Sequence, residues 1–137
     1  MSSKNRRRNV PNYSEMISQF IKAMDDAKRD YQWSYDEVGR MDLLTQDYLH
    51  KLELDGLDYK ERAKVATKLA TCRQKRREYK NVVLALEPLI AFLETAKGES
   101  MLNTMKEVLG KTRKAESHMK HAVYVPRVLG GDTDETK

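Results

Sequence analysis

From Val65 to Leu93 the chain places Val65, Leu69, Cys72, Arg76, Tyr79, Val83, Leu86, Ile90 and Leu93 in alternating steps of three and four. That alternation is the a/d seam of a helix packed lengthwise on another helix. Asp58 and Glu61 have capping-box spacing, so the helix opens at Tyr59. Unbroken to Leu93, it is ~50 Å long at 1.5 Å per residue. A compact domain of 137 residues is narrower than that. The fold is therefore expected to be elongated, with neighbouring copies in a homo-oligomer completing the cover of the seam. Pro88 removes one backbone hydrogen bond and is expected to kink the helix or restart it after Glu87.

The remaining elements follow from the same periodicity. Met16, Ile17, Phe20, Ile21 and Met24 mark a first amphipathic helix, with Ser14 as a plausible N-cap. Ser34 and Glu37 have capping-box spacing, so a break is expected at Gln32 to Ser34, with Trp33 and Tyr35 anchoring it in the core. A second helix carries Val38, Met41, Leu44, Tyr48, Leu49 and Leu52 and ends at Asp55-Gly56-Leu57, where Gly56 takes the left-handed C′ position. Gly39 weakens its first turn by up to ~1 kcal/mol relative to Ala. Gly98 ends the long helix. Met101, Leu102, Met105, Val108, Leu109, Thr112, Ala115 and Met119 then form a last helical stripe. Ala122 to Leu129 is rich in β-branched residues and contains Pro126, which predicts a short extended segment or edge strand. With only 6 Gly and 3 Pro to make turns, the expected class is mainly α: long antiparallel helices, hairpin or coiled-coil-like, with a short C-terminal β segment. The expected organisation is a flexible basic arm over 1–12, one helical domain over 13–129 and a disordered tail over 130–137.

The net charge of +5 hides a segregation. Residues 30–58 hold eight acids against Arg40 and Lys51, whereas residues 59–81 hold nine bases against Glu61 and Glu78. Two antiparallel helices with complementary flanks produce that pattern, and their pairing neutralises part of the basic stretch. A single cysteine, Cys72, excludes an intramolecular disulfide and suggests a reducing compartment. No apolar run approaches a membrane span, and the start lacks the apolar stretch of a signal peptide. A cytoplasmic protein that does not engage membranes is expected.

Arg73, Arg76, Arg77 and Lys80 fall within about two turns of one helix, and guanidinium forks at that spacing suit phosphate oxygens. The same residues also read as a solvated face paired with the acidic helix. Arg76 separates the two readings, because it occupies a seam position and requires either a carboxylate partner or an anionic ligand. Tyr124 and Arg127 flank Pro126 and would add a stacking surface and a cation if the segment folds back onto the basic helix; the plainer reading is a terminal strand at a subunit interface. Lys4, Arg6, Arg7 and Arg8 suit non-specific, salt-sensitive contact with nucleic-acid phosphates, or solubility alone. His118 and His121 stand three apart without further ligands, so neither a metal nor a cofactor is expected. Cys72 reads as packed rather than nucleophilic. No Ser/His/Asp order or paired-carboxylate pattern points to an enzyme.

The stretch from Asp36 to Leu93 contains Thr45-Gln-Asp-Tyr-Leu-His-Lys-Leu-Glu-Leu54, Tyr59-Lys-Glu-Arg-Ala63, Arg73-Gln-Lys-Arg-Arg77 and Leu86-Glu-Pro-Leu89. In layout and Arg placement it resembles small helical proteins carried by phages of Gram-positive bacteria, and it is similar to the Thoeris anti-defence sponges. That resemblance implies a helical, oligomeric, non-catalytic protein. Such a protein sequesters a cyclic ADP-ribose signal with Arg and aromatic residues at subunit interfaces, and so counteracts host defence. The alternatives are a nucleic-acid-binding accessory or regulatory protein, and an inhibitor that docks the acidic helix over 35–55 on a host protein.

Overall fold

A computed structural model describes residues 12–121, which form three helices: α1 (Tyr13–Leu54), α2 (Tyr59–Leu93) and α3 (Ala96–His121). At 1.5 Å per residue α1 is about 63 Å long and α2 about 52 Å. Met41 meets Cys72, Asp42 meets Arg76 and Ala27 meets Ile90, so α1 and α2 are antiparallel. α3 also runs against α1, from Leu102 beside Ala27 to Glu116 at Ser14. The molecule is a long spine, α1, with α2 along most of its length and α3 along its N-terminal part. Among the described residues the fold is all-helical; the expected β segment over 122–129, the arm and the tail lie outside them.

The continuity of α1 corrects the expected break at Gln32 to Ser34. Ser34 and Glu37 have the spacing of a capping box but do not act as one. Ser34 is buried on the seam, and Glu37 Oε2 accepts from Arg40 Nη1 at 3.1 Å. Gln32 Nε2 donates to Asp36 Oδ1 at 3.0 Å across the expected break. No Gly or Pro interrupts the backbone there, so helix propagation prevails over the motif. Trp33 (61% exposed) and Tyr35 (60%) lie on the outside and do not anchor a core.

The N-cap is Asn12 rather than Ser14: its Oδ1 accepts from the Glu15 N–H at 3.2 Å and from Ser14 Oγ at 2.6 Å. At the other end of α1, Gly56 has φ 56°, the left-handed position expected of it. Asp58 Oδ1 then caps α2 by accepting from the Glu61 N–H at 2.8 Å.

The α2 seam is buried as its periodicity predicts, at Val65, Cys72, Val83, Ile90 and Leu93. The cover comes from the same chain, because unbroken α1 is long enough to face all of it. α2 passes through Pro88 as one helix, with no restart after Glu87. Gly98 also corrects the expectation: α2 stops at Leu93, Thr95 Oγ1 accepts from the Gly98 N–H at 3.1 Å, and Gly98 belongs to the first turn of α3. A Cβ at Gly98 would stand 2.7 Å from Leu93 Cα, so glycine permits the close corner. Beside it Ala27, Ile90, Leu93 and Leu102 form the central cluster, with Met24, Tyr31, Leu86, Leu89 and Met101 packed around them. Burying an Ile or Leu side chain, as at Ile90, Leu93 and Leu102, contributes up to about 1.5–3 kcal/mol. Of the last stripe, Leu102 is buried, but Val108, Ala115 and Met119 are exposed.

At the far end of α3, the Glu116 carboxylate accepts from the Ser14 N–H at 3.2 Å. It thereby satisfies a free donor at the positive end of α1. Hydrogen bonds from Ser14, its hydroxyl first and then its N–H, hold the Glu116 carboxyl below the ordinary value. The hydroxyl has one proton and also faces Asn12 Oδ1, so the N–H is the steadier donor.

Gly98→Ala is expected to destabilise the fold by about 2 kcal/mol or more, since the clash is with backbone; urea unfolding followed by circular dichroism measures it. A carboxyl with a depressed folded pKa contributes stability above its unfolded value, about pH 4.3, that is lost as pH falls through the folded one. Glu116→Gln is therefore expected to lower stability at neutral pH and to flatten its decline below about pH 4. An unchanged acid limb in pH-resolved melting would show that the contact contributes nothing.

Candidate functional site

The middle of the α1–α2 hairpin gathers the chemistry. Arg76 projects from α2 across the seam, and its Nε donates to Asp42 Oδ1 at 2.5 Å. Arg73, one turn earlier, directs Nη1 at the same oxygen from 3.9 Å. The seam arginine thus has a carboxylate partner, one of the two solutions its position required. The acidic and basic stretches meet here as the segregated charges predicted. Charges are not matched one for one, however: two guanidinium groups share one carboxylate, and Arg76 keeps 30% of its side chain exposed.

Two clefts flank the seam at this level. One, of ≈ 260 Å³, lies between Tyr35, Val38, Gly39 and Asp42 of α1 and Lys80 and Val83 of α2. A Cβ at Gly39 would meet nothing within 4 Å. This glycine is therefore not required by close packing, and its missing side chain leaves the cleft open. The other cleft, of ≈ 230 Å³, is lined by Arg40, Tyr48, Lys68 and Lys75, with Met41, Leu44, Thr67, Thr71 and Cys72 completing its walls. It contains three cationic side chains and no carboxylate. Arg40 is held on one side by Glu37. The Cys72 thiol is buried and donates to the Met41 carbonyl at 3.2 Å, so it is packed into the hairpin.

Of the sequence candidates, Arg73 and Arg76 come together on Asp42, and Lys80 faces the first cleft. Arg77 is exposed and lines neither cleft. Tyr124, Arg127, Lys4, Arg6, Arg7 and Arg8 lie outside the described residues. Arg40, Lys68 and Lys75 escaped the sequence reading. Lys68 and Lys75 are seven apart, a spacing that marks one face of α2, but Arg40 joins them only through the antiparallel pairing. His118 and His121 are exposed, and among the described residues no three His, Cys, Asp or Glu side chains are grouped to hold a metal ion. No described helix is long and apolar enough to cross a membrane.

No family model, no curated protein and no solved structure matches the chain.

Asp42→Ala is expected to cost the hairpin no more than about 1 kcal/mol, because the ion pair stays partly in water. Gly39→Ala is expected to stabilise it by about 0.5–1 kcal/mol, since the new methyl meets open space and helix propensity improves. Chemical denaturation of both variants gives the two signs; a destabilising Gly39→Ala would show that the glycine serves packing after all.

Proposed function

We propose that the protein captures a small phosphorylated nucleotide, of the cyclic ADP-ribose type, and holds it without chemical change. The cation surplus at the hairpin's midpoint supports this reading. Arg40, Lys68 and Lys75 line one cleft that contains no carboxylate, and on the other side Arg73 and Arg76 share Asp42. Cationic side chains held on two packed helices suit phosphate oxygens, and the guanidinium groups add a fixed geometry. Tyr48 and Tyr35 stand at the respective clefts, where an aromatic ring suits a base or a ribose face. In this reading the protein is a sponge of the anti-defence kind, acting in a host cytoplasm.

Each cleft is small for a whole dinucleotide, so the ligand would lie across the hairpin with phosphates on the cations. Arg77 and Lys80 extend the same basic helix. Tyr124 and Arg127 cannot join from the same chain. The α1 backbone from Ser14 to Asp42 spans about 42 Å, whereas six residues beyond His121 reach at most about 20 Å. They would complete the site only across a subunit boundary, which is the arrangement in which a homo-oligomer would bear on binding.

Calorimetric titration with cyclic ADP-ribose isomers is expected to show saturable stoichiometric binding, with the ligand recovered unmodified by mass spectrometry. Lys68→Glu/Lys75→Glu and Arg73→Ala/Arg77→Ala are expected to divide the effect, with at least one pair losing tenfold or more in affinity. Absence of heat, a converted product, or full affinity in both variants would overturn the proposal.

A further inference from the structure

The N-terminal part of α1 carries an apolar strip that the three helices leave uncovered. Along α1 the residues facing α2 recur every seven positions, as Ala27, Ser34 and Met41, all buried. The same step backward from Ala27 reaches Phe20 and then Tyr13. α2 ends at Leu93, beside Ala27, and does not extend that far. α3 does not replace it on this line, for it packs one position round the helix, where Ser14 and Ile21 are buried and Ser14 meets Glu116. Tyr13 (56% exposed), Phe20 (39%) and Met16 (58%), on the side away from α3, are left facing water.

We infer that residues 122–129 of the same chain dock on this strip. Three observations select this occupant. The Glu116–Ser14 contact brings the end of α3 to the start of α1, so the chain after His121 leaves beside the strip. The next eight residues, Ala-Val-Tyr-Val-Pro-Arg-Val-Leu, carry one charge and six large apolar or aromatic side chains or prolines, a composition that demands cover. Their length fits as well. Phe20 is about 16 Å along α1 from the level of His121, and eight extended residues reach about 26 Å, leaving slack for a turn. Direct tethering also gives the segment a local concentration that a second copy matches only at high protein concentration.

Docked there, Tyr124 and Arg127 belong to the end of the spine and not to the midpoint clefts of their own chain. The inference is independent of any ligand. Its test replaces Phe20 with the photoreactive analogue benzoylphenylalanine, in an equal mixture of unlabelled and nitrogen-15-labelled full-length protein. After irradiation, digestion and mass spectrometry, the crosslink is expected in the peptides that cover 122–129, with both halves carrying the same isotope. Crosslinked peptides of mixed isotope would assign the strip to a second copy and overturn the inference, as would crosslinks that avoid 122–129. As a second measure, a chain ending at His121 is expected to enhance the fluorescence of an apolar-surface dye several-fold over the full chain while keeping its helical circular dichroism. Equal dye fluorescence would overturn the inference even if crosslinking failed.

Discussion

The uninterrupted length of α1 is the constraint on which the rest of this structure depends. A 35-residue helix with a continuous seam needs a partner of at least its own length, and only a spine of 42 residues supplies one within the chain. Had α1 broken at Ser34, the lower half of the α2 seam would have faced water or another subunit. Because it does not break, α1 faces the α2 seam from Val65 to Leu93, α3 joins it only at the Leu93 end, and the interior remains narrow. Leu93 and Met41 are among its most deeply buried residues, and the packing is concentrated where α3 adds a third helix at Ala27.

This architecture sets its own electrostatics. An antiparallel pair brings the acidic half of α1 alongside the basic half of α2, so the segregated charge in the sequence becomes local pairing at Asp42. The partial exposure of that cluster keeps its contribution to stability small. Its greater consequence is position. Arg76 fills a seam site by reaching out of it to Asp42, and at this level of the hairpin two clefts open at the surface. The same residues therefore hold the hairpin in register and leave a surplus of positive charge at its midpoint.

Much of this was legible because helix periodicity encodes what each residue faces. The α2 seam, the Gly56 terminus, the Asp58 cap and the need of Arg76 for a counter-charge all follow from spacing and residue chemistry. The failures share a cause. Ser34 to Glu37 and Gly98 carry local signals for a helix end, and in each case tertiary packing used the residue otherwise: Ser34 as a small seam residue, Gly98 as the point of close approach between α2 and α3. A capping motif states that an end is possible, whereas continuity depends on whether the neighbouring helix gains by it. The cleft of Arg40, Lys68 and Lys75 was illegible for a related reason, since residue 40 meets residues 68 and 75 only after the hairpin closes.

The junction at Ala27 explains why the end of the spine differs from its middle. From Ala27 to Leu52 the buried face of α1 keeps the alternating three and four steps that match α2. Between Ile21 and Met24 the step that should be four is three, and from Ile21 back to Ser14 the buried line stands one place round the helix from Phe20 and Tyr13. A shift of that kind is incompatible with one straight partner running the full length. The partner accordingly ends at Leu93, turns at Thr95 and resumes as α3 on the adjacent face. Gly98 makes the turn tight enough for Leu102 to share the cluster with Leu93. The cost is the line that α2 abandons, on which Phe20 and Tyr13 remain at the surface, so one missing residue in the spacing of α1 fixes both the course of α3 and the place where the molecule's apolar cover is incomplete.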